Sequence, residues 1–232
     1  MGDLSTFMIT QRWPAVHPDR LQLYTLGTPN GLKVSIALEE LGLPYEAHKV
    51  AFADDDQMTP EFLSLNPNNK IPAIIDPDGP GGKPLPLFES GAILLYLAEK
   101  TGRLIPADPH ARWQCIQWLM FQMGGVGPFF GQLGHFFKFA ADKVKDPYPA
   151  NRYAGESRRL LGVLDGQLTG RRWIMGDDYS IADIATFPWV RTLVGFYGAG
   201  EIVGIADFPE VTGWLERCLA RPATERGLKI PA

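Results

Sequence analysis

Two short stretches of this chain carry residues that could grip a small, extended, charged peptide. The first, Asn66 with Asn68-Asn69-Lys70-Ile71-Pro72, ends a polar loop on an Ile-Pro dipeptide and runs into the apolar run Ala73-Ile74-Ile75. The second, Phe88-Glu89-Ser90-Gly91, sets an acid and a hydroxyl at the start of a predicted helix from Ser90 to about Lys100. Backbone groups beside Pro72 could pair with the middle of such a peptide as a β-strand would. The helix start could hold its carboxylate on unpaired N–H groups, with Ser90 adding a hydroxyl. Glu89 could take an ammonium at the other end of the same zwitterion. A helix cap with an acid beside it reads the same way, and the two readings are compatible.

A third stretch, Thr28-Pro29-Asn30-Gly31, opens another predicted helix. A thiolate placed at a free helix N-terminus is stabilised, and its pKa falls. The Thr28 hydroxyl and the Asn30 amide could each donate to sulfur. Capping alone also explains Thr-Pro at a helix start, and local sequence favours it; Asn30-Gly31 is less easily explained that way. Ile71-Pro72 is equally open. X-Pro is the one place where a cis peptide costs little, but proline also begins ordinary strands. Asn69 and Lys70 could meet a terminal carboxylate or sit in a solvated loop.

The elements that would position these residues follow from periodicity and punctuation. Residues 1–20 are polar, with Pro14 and Pro18, and read as an irregular arm. Residues 21–25 alternate as a strand. Val34, Ile36, Ala37, Leu38 and Leu41 then recur at helical spacing, with Thr28 as N-cap, Pro29 at the first position and Gly42 as the closing glycine. Strands are predicted at 45–51, 71–75 and 85–88, and a short helix starts at Thr59-Pro60. The first hundred residues thus read β-α-β-α-β-β-α, and the remainder reads as helices. A helix over 109–123 should be broken or kinked by Gly124-Gly125-Val126-Gly127-Pro128. Further apolar faces run through 129–141, 152–168, 180–195 and 209–219. Ser180 and Asp183 form a capping box, and Pro188 should kink the helix that follows. The expected organisation is an arm (1–20), an α/β domain (21–102), a linker near 103–108 and an all-helical domain (109–232).

The pattern as a whole resembles the cytosolic glutathione S-transferase superfamily. Thr28-Pro29-Asn30-Gly31, Asn68-Asn69-Lys70-Ile71-Pro72, Phe88-Glu89-Ser90-Gly91-Ala92-Ile93, Tyr96-Leu97-Ala98-Glu99-Lys100 and Tyr179-Ser180-Ile181-Ala182-Asp183 carry the likeness over about residues 20–220. Gln117-Trp118 and Gln122-Met123-Gly124-Gly125-Val126-Gly127-Pro128 bring it closer to the bacterial Nu-class subgroup, also described as disulfide-bond oxidoreductases. The resemblance implies a thioredoxin-like N-terminal domain joined to an all-α domain, glutathione or glutathione disulfide as co-substrate, and a homodimer. It implies that Thr28 and Asn30 line the glutathione thiol, where other members use Tyr or Ser. It implies a cis Ile71-Pro72 peptide whose backbone pairs with the cysteinyl unit. Asn69 and Lys70 would then meet the glycine carboxylate, and Glu89 and Ser90 the γ-glutamyl arm. Gln57 and Arg152 match ligand-contacting positions; each also reads as a surface residue. Tyr24, on the first strand, reads as packed rather than catalytic.

Composition bounds the alternatives. The 232 residues are 45% hydrophobic and 21% charged, as in ordinary globular proteins. A net charge of −4 without a Lys/Arg run offers no footprint for nucleic acid. No basic start followed by an apolar run marks a signal peptide, and no apolar stretch reaches the ~20 residues of a membrane helix. Cys115 and Cys218 form no CxxC, and the four histidines show no ligand spacing, so neither a dithiol nor a metal is expected. Cys115, among Trp113, Ile116 and Trp118, reads as a buried structural thiol, and a reducing, cytoplasmic setting fits. Phe129, Phe130, Phe136, Phe137 and Phe139 read mostly as core, with part of that face available to line a pocket. Three functions are consistent with this reading. They are glutathione-dependent disulfide reduction, conjugation of glutathione to electrophiles, and a non-enzymatic transferase-like binding module. The first fits a glutathione site in a chain without a redox thiol pair.

Overall fold

The structure, a computed structural model, describes residues 3–231. A short 3₁₀ turn (Leu4–Thr6) and a one-turn helix α1 (Ile9–Arg12) precede β1 (Leu21–Thr25), α2 (Pro29–Leu41), β2 (Tyr45–Lys49), α3 (Pro60–Leu65), β3 (Ala73–Asp76), β4 (Leu85–Phe88) and α4 (Ser90–Thr101). Then follow α5 (Pro109–Phe121), α6 (Gly127–Gly134), α7 (Tyr148–Leu168), α8 (Ile181–Arg191), α9 (Pro209–Leu219) and α10 (Pro222–Gly227). Two compact units result. One holds the chain through Thr101 together with the segment from Pro222; the other is Gly102–Arg221.

The first unit is a four-stranded mixed sheet in the order β2-β1-β3-β4, with β1 and β2 parallel and the other pairs antiparallel. This is the thioredoxin-like sheet. Helices α2 and α4 pack together. A separate core gathers Leu4, Ile9, Tyr24, Val50, Phe62, Leu65, Ile71, Ala73 and Ile75. The arm is therefore not irregular, as its polarity suggested. Leu4 and Ile9 are buried in that core, and Trp13 packs edge-on to Tyr24 and Phe62. The last segment also departs from expectation. Helix α10 packs on α2, with the Ser35 hydroxyl donating to the Gly227 carbonyl at 2.8 Å. A Cβ on Gly227 would come within 2.6 Å of the Ile36 side chain and 2.8 Å of its Cα, so only glycine permits this approach.

The second unit is helical, and its best-tied element is α8. Ser180 caps it, and the capping box with Asp183 is present. Asp183 is fully buried and accepts four hydrogen bonds, at 2.9–3.0 Å, from the Ile174 and Ser180 N–H groups, the Ser180 hydroxyl and the Trp214 indole. Pro188 lies inside α8, and a wide π-type turn, Thr192–Phe196, follows. Where a break or kink is expected, at 124–128, the α-helical spacing ends at Phe121 and resumes at Gly127. The backbone stays helical through a π-type turn, Gln122–Val126, whose wider spacing accommodates Pro128, which has no N–H to give. The glycines there do a packing job instead. A Cβ on Gly131 would meet Trp189 at 3.3 Å, and one on Gly134 would enter the Tyr197 ring at 2.3 Å.

Candidate functional site

Strand register gathers the site. Tyr24 pairs with Ala73, and Ala73 pairs with Phe88. The residues that leave β1 (Thr25 to Thr28), enter β3 (Ile71-Pro72) and leave β4 (Glu89-Ser90) therefore emerge at one end of the sheet. Three segments distant in sequence meet there because antiparallel pairing reverses β3 between its neighbours.

At the first of them, Thr28 is extended and its hydroxyl accepts from the Gly31 N–H at 3.3 Å, with Pro29 at the first helical position. The hydroxyl keeps a proton to donate. Thr28 and Asn30 are partly exposed, while every residue from Gly31 to Leu38 is buried. The helix thus presents its N-terminus outward and seals its body. Gly31 allows the approach: a Cβ there would sit 2.0 Å from the Leu26 carbonyl oxygen and 2.5 Å from the Thr25 hydroxyl. Tyr24 is packed, as its strand position implies. It is fully buried and stacked on His48 at 4.8 Å, and burial pushes its phenol pKa up. It therefore offers no exposed hydroxyl to a thiol.

At the second, the Ile71-Pro72 peptide is cis and both residues are buried. Strand pairing begins only at Ala73, two residues later than the sequence suggested. Asn66, almost fully buried, organises the approach. Its amide donates to the Lys70 carbonyl at 2.5 Å, and its side-chain oxygen accepts from the Asn68 N–H at 3.0 Å. Asn69 is held at a positive φ of 51°, and its amide reaches the Met58 sulfur at 3.1 Å. That contact brings the 3₁₀ turn Asp56–Met58, and Gln57 with it, beside the loop. The Gln57 side-chain oxygen is buried without a hydrogen-bond partner among the described residues. Asp56 fixes the turn by accepting from Ala51 N–H at 2.8 Å and pairing with Arg12 of the arm. Lys70 is exposed.

At the third, Glu89 is exposed and held at φ 73°, and its carbonyl starts α4 by accepting from Ile93 at 2.9 Å. Ser90 is buried, and its hydroxyl accepts from the Lys33 ammonium at 3.2 Å. The sequence reading missed Lys33. A lysine on a helix suggests solvent, yet this one has no exposed surface. The available signal was the unbroken apolar surround: Leu32, Val34, Ile36, Ala37 and Leu38 leave α2 no wet face.

Nine of the ten candidate residues belong to this unit. Arg152 does not. It is exposed on α7, 4.0 Å from Glu156. Both cysteines are buried and outside any disulfide, and burial pushes the Cys115 thiol pKa up. Neither is poised as a nucleophile. Among the described residues no cluster of three or more His, Cys, Asp or Glu could hold a metal, and no helix is long and apolar enough to cross a membrane. The five phenylalanines read mostly as core divide: Phe130 is buried, Phe129, Phe136 and Phe137 are half-buried, and Phe139 is 59% exposed beside Phe196 and Tyr197.

The fold and the match of sequence families define the class. The family described as Glutathione S-transferase, N-terminal domain, matches residues 28–100, and Glutathione S-transferase, C-terminal domain, matches 127–222. The chain belongs to the glutathione S-transferase family. Among its relatives is the Escherichia coli disulfide-bond oxidoreductase YfcG, 46% identical over 209 residues, 90% of this chain and 94% of that one. A glutathione transferase from Burkholderia graminis, solved with two glutathione molecules bound per subunit, is 68% identical with a TM-score of 0.98, over 99% of this chain and 95% of that one. One from Pseudomonas putida, solved with one glutathione disulfide bound per subunit, is 63% identical with a TM-score of 0.97, over 99% and 100%.

Proposed function

We propose that this protein is a glutathione-dependent disulfide-bond reductase. The observation that carries the reading is the convergence of a capped but open helix N-terminus, the Ile71-Pro72 backbone and the Glu89-Ser90 helix start at one sheet end, in a chain whose two thiols are buried. Thr28 and Asn30 face the glutathione sulfur, Ile71 and Pro72 its cysteinyl backbone, and Asn69 and Lys70 its glycine carboxylate. Glu89 and Ser90 hold the γ-glutamyl arm, Gln57 offers its unpaired oxygen, and Arg152 is a further proposed glutathione contact. Relatives solved with glutathione or glutathione disulfide support this assignment.

The chemistry is thiol–disulfide exchange. The thiolate of bound glutathione attacks one sulfur of a disulfide. A mixed disulfide with glutathione forms, and the other sulfur leaves as a thiolate that takes a proton. A second glutathione thiolate attacks the mixed disulfide at the glutathione sulfur, giving glutathione disulfide and the second substrate thiol. Two glutathiones supply the two electrons. The protein lowers the thiol pKa with the α2 N-terminus and orients the attack.

Reduction of 2-hydroxyethyl disulfide by glutathione is the measurement. The double variant Cys115→Ser/Cys218→Ser should keep the activity, while Thr28→Val with Asn30→Ala should lower kcat/KM by about 100-fold, the scale of lost donors to a developing anion. Loss of activity in the cysteine double variant, with the fold intact, would place the nucleophile on the protein and sink the mechanism. Chlorodinitrobenzene turnover clearly above disulfide reduction would make conjugation the main reaction.

The protein also acts as a homodimer in this reading, through the surfaces of α4 and α5. Trp113 and Met120 on α5 are 68% and 50% exposed, large apolar side chains that a partner would cover. Light scattering should give twice the 25.7 kDa chain mass; a particle of one chain mass refutes the dimer. A reducing cytoplasmic compartment, which supplies glutathione, suits both the reaction and the two buried thiols.

A further inference from the structure

The arm that precedes β1 reaches the proposed glutathione site through an ion pair. Arg12, the last residue of α1, donates from Nε to Asp56 Oδ1 at 3.1 Å, and its Nη2 pairs with the same oxygen. Asp56 is 6% exposed. Its Oδ2 accepts from the Ala51 N–H at 2.8 Å, just past β2. Its carbonyl accepts from the Thr59 hydroxyl at 2.7 Å, and Thr59 caps α3. Next in the same turn come Gln57, whose buried oxygen has no partner among the described residues, and Met58, whose sulfur accepts from the Asn69 amide. We infer that Arg12 is a positioning residue for glutathione: through Asp56 the arm holds the Asp56–Met58 turn, and with it Gln57 and Asn69, where the peptide docks. This rests on the reading of Gln57 and Asn69 as glutathione contacts.

The charge pattern explains why the turn needs the arm. Asp54, Asp55 and Asp56 set three carboxylates in a row, with Asp55 at a positive φ of 52°. Like charges so close repel, and burying one of them is costly without an opposite charge. Arg12 supplies that charge, and Glu61 and Asp54 act on it at longer range. The guanidinium is itself held in place. Leu4 and Ile9 share a core with Phe62, Leu65 and Ile71. The Trp13 indole donates to the Lys49 carbonyl at 3.0 Å, and the Val16 and His17 N–H groups donate to the Glu46 carboxylate at 3.0 and 2.8 Å. The Arg12 guanidinium lies over the Trp13 ring, 5.3 Å from its centre. The arm thus backs the turn by charge and the cis peptide at Ile71 by packing. Coupling of this kind is reciprocal: a ligand that binds better when the arm is docked must hold the arm more firmly.

Calorimetry with glutathione disulfide and the kinetics of disulfide reduction test this. Arg12→Met keeps an apolar stem beside Trp13 and removes the charge. It should raise the Kd, and the KM for glutathione, about tenfold, with kcat within about twofold because Thr28 and Asn30 are untouched. Arg12→Lys restores the charge without the fork and should bind within about threefold of the natural protein. In an Asp56→Asn background the Arg12→Met change should cost less than about twofold, since its charged partner is gone. A merely structural arm would lower the melting temperature without moving Kd or KM. In the natural protein, deuterium exchange at the Gln11 and Trp13 amides, which donate to Met8 and Ile9 carbonyls, should slow several-fold when glutathione disulfide saturates the site. Unchanged Kd and KM in Arg12→Met, or arm exchange indifferent to the ligand, overturns the inference and leaves the glutathione site standing. The exchange readout needs no variant. Failure of the natural protein to bind glutathione disulfide at millimolar concentration overturns the site and the inference together.

Discussion

Replacing Asp183 with alanine should destabilise the helical unit by about 4 kcal/mol, the largest effect expected of a single change there. The carboxylate is out of water and accepts from two backbone N–H groups, a hydroxyl and an indole. Those donors come from the Trp173–Gly176 turn region, the α8 cap and α9, so one side chain ties three parts of the chain. In alanine the Ser180 hydroxyl can turn away, but the Ile174 and Ser180 N–H groups and the Trp214 indole stay buried without an acceptor. Each such group costs about 1–3 kcal/mol, and water entering the small cavity recovers part of it. Asp183→Asn keeps the volume and one oxygen but turns an NH₂ group toward donors, so about half the loss is expected. Urea unfolding followed by tryptophan fluorescence measures both. An alanine variant within 1 kcal/mol of the natural protein would mean that the network contributes little.

Gly31→Ala should cost about 3 kcal/mol and lower kcat/KM by about 100-fold. A Cβ would stand 2.0 Å from the Leu26 carbonyl oxygen, which is itself tied to the Thr28 N–H at 2.7 Å. No side-chain rotation relieves a clash with backbone, so the first turn of α2 must move, and overpacking of this kind costs ~1–3 kcal/mol or more. The turn that moves carries Thr28 and Asn30, and a displacement near 1 Å at reacting groups is enough for a loss of that order. Gly155→Ala in α7 is the control. Nothing lies within 4 Å of a Cβ there, and a helix gains from alanine, so stability should hold or rise by up to about 1 kcal/mol. Denaturation midpoints and disulfide-reduction kinetics on both variants distinguish a local clash from a general intolerance of alanine.

Much of the framework was legible because it is written locally. Thr28-Pro29 and Gly42 bound α2, and Ser180 with Asp183 bounds α8, through contacts within a few residues. What the sequence hid depends on distant partners. β3 starts at Ala73 because Tyr24 and Phe88 pair there. The segment after Pro222 joins the first unit because Gly227 meets Ser35, 192 positions away. The glycines of 124–134 read as breakers, whereas Trp189 and Tyr197 packed against α6 are what require the bare backbone. Lys33 was invisible as chemistry because its partner, Ser90, is 57 residues on. The polar arm read as irregular because its two buried anchors, Leu4 and Ile9, are too few to show a period.

Four non-glycine residues of the described chain hold a left-handed backbone: Asp55, Asn69, Glu89 and Leu104. Two are proposed ligands, and Asp55 is two residues from a third, Gln57. Asparagine tolerates this conformation; glutamate does so at a cost of about 1 kcal/mol or more. A chain selected only for thermal resistance would drift toward glycine at position 89, gaining stability and losing the carboxylate. Thermostability campaigns that rank variants by melting temperature would therefore discard function at this residue first, so activity must be screened alongside whenever the β4–α4 junction is varied.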